Sequence, residues 1–308
     1  MQLLAVNYHY FRDTTEGKGI YPISKRDFLS QLDVISKHYE FVNQEMLVSI
    51  VSKGVYPNKR YCILTFDDGL KEQMEACEIL IQKGIGGIFH IITDTLEQKE
   101  VINIHKIHYI RSKMDDNELL EVLQNDYDIF DVNFNKDMLS AKYPYDNDLA
   151  KKIKYFLTFV LSDFEREKTV NVLFNALVNN EDQFLKQWYM NEDDIMKLAK
   201  YKMLGTHSSS HRPLAKLKEE EMRYDIKKSI NYLETITRET IHAISYPYGI
   251  GEAVSERLSQ IAVDAGLSIG FTVIRGINQN EDYHNFLFLK RINTNEAPGG
   301  KLNRTEYM

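Results

Sequence analysis

Residues 60–93 constrain the fold most. An apolar run, Arg60 to Phe66, reads as a buried strand and ends at an Asp-Asp-Gly turn. Lys71 to Lys83 then places Met74, Cys77, Leu80 and Ile81 on one helical face, and Gly84 is a suitable C-terminal cap. Gly86-Gly87-Ile88-Phe89-His90-Ile91-Ile92-Thr93 returns as a strand. Strand, helix and strand joined by short connections specify a parallel α/β arrangement, because the crossover helix covers one face of the sheet.

The same rhythm appears on both sides of a long interruption. Leu3 to Tyr8 reads as a first strand, and Ser24 caps a helix carrying Phe28, Leu32 and Ile35 at helical spacing. From about Leu96 to about Gln187 the pattern is helical, with segments at Glu118–Leu123, Ile153–Leu161 and Val170–Leu177 and an Asp/Asn/Tyr-rich linker from Asn125 to Asp148. This stretch reads as an insertion at about 96–187 in a single 1–308 domain. The α/β pattern resumes at Asn191-Glu192-Asp193-Asp194, and Tyr201 to Thr206 leads into a histidine pair. A helix with Met222, Ile226, Ile230 and Leu233 on one face follows, then a short strand, Ala243 to Tyr246. A helix at Ser255–Ala265 and strands at Ser268–Ile274 and Leu287–Ile292 complete the pattern.

Thr65-Phe66-Asp67-Asp68-Gly69 sets two adjacent carboxylates at a strand end, and His207-Ser208-Ser209-Ser210-His211 sets two imidazoles four residues apart in a loop. One Asp and two His form a three-ligand set for a divalent metal that leaves positions for water and substrate. The neighbouring Asp is then available as a general base. Solvated loop residues are the plainer reading of the His pair, and an Asx turn or helix cap that of Asp67.

A net charge of −7 excludes a mainly nucleic-acid partner and a polybasic membrane patch. Cys62 and Cys77 lack Cys-x-x-Cys spacing and read as small core residues. The first residues have neither a basic region nor an apolar run long enough for a signal peptide, and no segment has the length of a membrane span. The expected location is cytoplasmic. Oligomeric state has no signature here.

Together, Thr65–Gly69, His207–His211 and Ser245-Tyr246-Pro247-Tyr248-Gly249, in this order on strand ends, resemble the polysaccharide deacetylase family (the NodB-homology, carbohydrate esterase family 4 domain). Asn7-Tyr8-His9-Tyr10 and Leu289-Lys290-Arg291-Ile292 are similar to further strands of that family. The resemblance covers about residues 1–95 and 188–295. It implies a distorted (β/α)7 TIM-like barrel with the active site at the C-terminal strand ends. It also implies a metal-dependent hydrolase that removes N-acetyl or O-acetyl groups from amino sugars with one divalent ion, commonly zinc. Asp68, His207 and His211 would be the metal ligands and Asp67 the general base. Tyr248 lies where a backbone N–H helps hold the oxyanion.

Two departures stand out. Many members carry Arg two residues before the motif proline, where this chain has Ser245. Arg291 is the candidate to orient Asp67 instead, with a surface salt bridge as the plainer alternative. The usual late Leu-x-x-His motif, which supplies the acid, is not apparent; members with a Tyr-His first strand point to His9, whereas His284 lies in a polar loop. His90 reads as a hydrogen-bonded structural histidine; His105 and His108 could line the substrate cleft, with a solvated helix face as the plainer reading. Trp188 and Tyr189 could stack on a sugar or pack the insertion. The expected substrate is an N-acetylated sugar, nucleotide sugar or glycan intermediate of surface-polysaccharide metabolism. An inert carbohydrate-binding barrel and an O-acetyl esterase are the competing readings.

Overall fold

Buried apolar strands need helices on their outer face, and the chain supplies one after nearly every strand. The computed structural model describes residues 1–14, 19–129, 132, 134–143, 146–302 and 304–308. Its strands are β1 (Gln2–Tyr8), β2 (Glu40–Phe41), β3 (Arg60–Phe66), β4 (Ile88–Ile91), β5 (Leu204–Thr206), β6 (Ala243–Ser245), β7 (Ile269–Arg275) and β8 (Leu289–Asn293). Helices α1 (Lys25–Ile35), α2 (Gln44–Lys53), α3 (Gln73–Lys83) and α4 (Asp94–Glu97) accompany the first four strands.

Contacts divide the chain into two compact units. The first comprises Met1–Asp13, Pro22–Glu100 and Lys186–Met308, and the second Thr14–Tyr21 and Val101–Leu185. In the first unit every strand pairing is parallel, and β1 pairs with both β3 and β8, which closes the sheet on itself. The ring runs β1-β3-β4-β5-β6-β7-β8. The two-residue β2 lies outside it, paired to Tyr61 and Cys62 at the start of β3. This is the expected seven-stranded parallel barrel.

Apolar side chains alternate between the barrel interior and the helix layer. Phe66 stacks on Phe89 at 4.3 Å between ring centroids, and Tyr8 on Phe66 at 5.0 Å. Phe28 on α1 meets Tyr8 edge-on at 5.3 Å. Cys62 and Cys77 are buried, free and part of this packing. Ser24 caps α1 by accepting from the Asp27 N–H, and Gly84 ends α3 with a φ of 65°. Sequence reading missed β2 and α2: two residues are too few for a strand signal, and Met46-Leu47-Val48 and Ile50-Val51 blur the helical period of α2.

The second unit is helical: α5 (Asn103–Lys113), α6 (Asp116–Gln124), α7 (Lys136–Lys142), α8 (Asp148–Tyr155) and α9 (Asp163–Leu177), with a π-helical turn at Phe156–Val160. Two corrections arise here. The stretch read as a linker contains α7, capped by Asn135; residues 130, 131, 133, 144 and 145 of it lie outside the described residues. His105 is fully buried rather than solvated. At this unit's centre Arg111, 2% exposed, bonds Asp116 at 2.9 Å. The remaining helices are α10 (Glu181–Trp188), α11 (Glu192–Lys200), α12 (Glu219–Thr237) and α13 (Glu256–Asp264). Met222, Ile226, Ile230 and Leu233 form the buried face of α12. Among the described residues, no helix is long and apolar enough to cross a membrane.

Candidate metal centre and its carboxylate

The ends of β3 and β5 bring the two motifs together. The strands are separated by β4, and the turns after them carry Asp68, His207 and His211, all buried. One ligand atom from each lies within 4.8 Å of the others. Asp68 Oδ1 is 3.3 Å from His207 Nε2 and 3.5 Å from His211 Nε2. Two ligands bound at about 2.0–2.1 Å and at the tetrahedral angle stand roughly 3.3 Å apart, so this donor set fits a divalent ion such as zinc.

The surroundings orient the ligands. His207 Nδ1–H donates to the Ser245 carbonyl at 2.6 Å, which leaves Nε2 with its lone pair toward Asp68. Burial pushes the His207 imidazole down in pKa, but the carboxylates of Asp67 and Asp68 outweigh it and the net direction is up. A cation, whether proton or metal, is therefore favoured between these groups. The backbone is forced where the ligands sit: Asp68, Ser208, His211 and Tyr248 have φ of 81°, 65°, 56° and 61°. Non-glycine residues take up this left-handed region at a cost that the surrounding contacts must offset.

Those contacts come from residues the motifs did not announce. Asp225 on α12, 3% exposed, accepts from the Ser209 N–H at 2.7 Å and from the Ser210 hydroxyl. Asp94 accepts from the Ser209 hydroxyl at 2.7 Å and from Lys228 at 2.6 Å. Gln73, fully buried, donates to the carbonyls of Asp67 and His9 at 2.6 and 2.8 Å and so ties the ends of β1 and β3. A buried Asp or Lys at helical spacing offers a sequence reader no hint of such a partner.

Asp67, 1% exposed, accepts hydrogen bonds at both carboxylate oxygens. Arg291 from β8 binds it in bidentate fashion, Nη1 to Oδ1 at 2.9 Å and Nη2 to Oδ2 at 2.8 Å. The Ser245 hydroxyl donates to Oδ2 at 3.0 Å and accepts from Arg291 Nη2 at 3.0 Å. Arg291 also donates to the Thr272 carbonyl, Asn7 and Thr65 at 2.7, 3.0 and 3.2 Å, and is 1% exposed. The surface salt bridge considered for it is therefore not what the structure contains. His90 Nδ1 lies 3.1 Å from Asp67 Oδ1. Burial works against ionisation of Asp67, but Arg291, followed by His207 and His90, holds its carboxyl well below the ordinary range. His90 itself is pushed down to about 4, chiefly by burial, so its ring is neutral near pH 7.

The remaining predicted residues divide. His9 faces the same carboxylate, Nε2 to Asp67 Oδ2 being 4.0 Å, with its side chain 39% exposed. The Tyr248 ring lies 5.1 Å from that of His211. His284 is exposed, with Nδ1 2.7 Å from the Glu281 carbonyl, in the loop expected for it. Trp188 is half-buried, edge-on to Tyr10 at 6.2 Å and 5.7 Å from the Arg12 guanidinium. Tyr189 is buried and bridges to Leu70 beside the Asp-Asp-Gly turn.

Fold and site together give a parallel α/β barrel with a buried Asp-His-His set, suited to a divalent metal, at the C-terminal strand ends. The sequence model of the polysaccharide deacetylase family matches residues 166–270, about a third of the chain. It overlaps the resemblance read over 188–295 and starts within the stretch that reading had left out. Over that stretch, and in its ordered motifs on this barrel, the chain is similar to the polysaccharide deacetylase family. No curated protein sequence matches it. Among solved structures it resembles IcaB from Ammonifex degensii, at 14% identity, covering 99% of this chain and 96% of that one, with a TM-score of 0.59. It also resembles the Streptococcus pyogenes deacetylase PplD in complex with acetate (17% identity, 95% and 92% covered, TM-score 0.55). The BpsB deacetylase domain from Bordetella bronchiseptica is similar at 14% identity, with 95% of each chain covered and a TM-score of 0.55. At these identities the likeness is one of fold.

Proposed function

We propose that the protein is a metal-dependent hydrolase that removes an N-acetyl or other small acyl group from an amino sugar in glycan or surface-polysaccharide biosynthesis. The observation that carries this reading is the buried Asp68, His207 and His211 set, its ligand atoms within 4.8 Å, beside an ionised Asp67. Asp68, His207 and His211 would hold the ion, zinc being our choice for a one-carboxylate, two-imidazole set. A bound divalent ion supplies Lewis-acid polarisation of the acyl carbonyl and of the attacking water.

The protein's own residues do the rest. Asp67 takes a proton from the water as its oxygen bonds to the carbonyl carbon. Arg291 and Ser245 hold Asp67 in place for that transfer. The backbone N–H of Tyr248 is our candidate donor to the oxyanion. His9 gives a proton to the amide nitrogen as the C–N bond breaks, so that the carboxylate and the free amine leave. The half-buried Trp188 is our candidate to stack on a sugar ring.

Acetate in the streptococcal neighbour is the product expected of such a reaction in that protein. The lack of Arg at position 245 had favoured an inert binding barrel; Arg291 on Asp67 removes that argument. The test is release of acetate from N-acetylated nucleotide sugars and oligosaccharides by metal-loaded protein. Wild type should turn over at least one, and Asp67→Asn should lose about 100-fold or more while keeping its metal. Equal rates in wild type and Asp67→Asn would sink the proposal, as would wild-type inactivity across the panel.

A further inference from the structure

The strand β4 carries one polar residue toward the barrel interior, and the motifs give it no task. His90 is fully buried, and its register partner across β5 is Gly205. A Cβ on residue 205 would come within 2.7 Å of His90 Cδ2, so the ring is seated in the space that glycine leaves. Phe271 bounds another side, edge-on, with ring centroids 5.6 Å apart. The imidazole is held in one place by walls that are apolar or lack a side chain.

Its polar atoms are unequal. Nδ1 faces Asp67 Oδ1 at 3.1 Å, whereas Nε2, also buried, meets no hydrogen-bond partner among the described residues. A neutral imidazole carries one N–H. A proton on Nε2 would leave a buried donor unmet and set the Nδ1 lone pair against a carboxylate; a proton on Nδ1 avoids both. The Nδ1–H tautomer is therefore the stable one. Asp67 then has four donors: two N–H groups of Arg291, the Ser245 hydroxyl and His90. Arg291 and Ser245 lie together on one side of this group in the fold, β6 and β8 flanking β7, whereas His90 reaches it from β4.

We propose that His90 is a positioning residue for the reaction assigned above, a neutral donor from β4 that fixes the rotation of the Asp67 carboxylate against the pull of Arg291. Resting on that reading, it makes His90 part of the hydrolytic apparatus although it touches neither substrate nor metal ligand. Arg291 supplies the charge; His90 supplies the second direction.

The test compares His90→Leu, which removes the donor, with His90→Asn, whose amide N–H can stand near the Nδ1 position, in the metal-loaded full chain. His90→Leu should lower kcat about 10- to 100-fold with KM within about twofold, and bind zinc as wild type does. His90→Asn should recover most of kcat. Independently, long-range 15N–1H NMR of the wild-type histidines should show His90 protonated at Nδ1. Unchanged kcat in His90→Leu, equal loss in both variants, or an Nε2–H ring would overturn the proposal. Should Leu destabilise the barrel, the Asn variant and the wild-type spectrum still decide. Wild-type inactivity would count against the proposed function, and the ring tautomer would then support or overturn the His90–Asp67 link by itself.

Discussion

Replacing Arg291 by Met keeps an unbranched apolar stem and deletes the guanidinium charge. Arg291 and Asp67 have side chains 1% and 2% exposed, so the change strands a carboxylate in the barrel with His90 and Ser245 as its remaining donors among the described residues. Breaking a buried pair from one side costs about 3–5 kcal/mol, mostly the desolvation of the charge left behind. Asp67→Asn on its own strands the guanidinium and should cost a similar amount. The double variant leaves neither charge, so it should be more stable than the sum of the single losses by about 2–3 kcal/mol.

The assay is urea unfolding of chelated protein at pH 7, followed by the fluorescence of Trp188, the one tryptophan, which lies in the barrel unit. The pH dependence has a definite sign. Asp67 has a folded pKa below its unfolded value, so its ionic contribution is present above about pH 4 and is lost only as pH falls through the lower folded value. In Arg291→Met burial instead raises the Asp67 pKa, so the gap between wild type and variant should be widest at high pH and narrow as pH falls and the stranded carboxyl takes up a proton. A loss under about 1 kcal/mol at pH 8, strict additivity of the two changes, or a gap that widens as pH falls would refute the reasoning.

Three further outcomes are expected. Elemental analysis should find about one divalent ion per chain in loaded wild type and none in Asp68→Ala, His207→Ala; equal content in both would remove the ligand assignment. His9→Ala should reduce kcat about 100- to 10,000-fold with metal retained, and unaltered turnover would mean that another group protonates the amine. Asp225→Asn should weaken zinc binding about 10- to 100-fold, read by competition with a chromogenic chelator, because the Ser209–Ser210 turn loses its anionic acceptor. An unchanged affinity would show that the loop holds its left-handed residues without it.

The barrel was legible because its signals are local. Arg60 to Phe66 is buried on both faces and so reads as a continuous apolar run, and Ser24 and Gly84 mark helix ends through hydrogen bonds and dihedrals within a few residues. The Asp68, His207 and His211 set was legible for a related reason: each motif sits at the end of such a run, and parallel strands in a barrel deliver their ends to one face. Within the helical unit the buried His105 was misread, since one polar residue on a short helix does not say which way the helix turns.

What the sequence by itself determined, then, is the strand-and-helix order and the chemistry carried on the strand ends, because both depend on neighbours along the chain. Only the tertiary structure decided how Asp67 is held. Arg291 lies 224 residues away and meets it because β8 closes the ring onto β1, beside β3. His90 reaches the same carboxylate because Gly205 on the adjoining strand leaves room for its ring. Asp225 clamps the histidine loop from a helix whose pattern announces only its apolar face. Hydrogen bonds between residues so far apart depend on register, closure and the volume of a missing side chain, quantities that exist only once the barrel has formed.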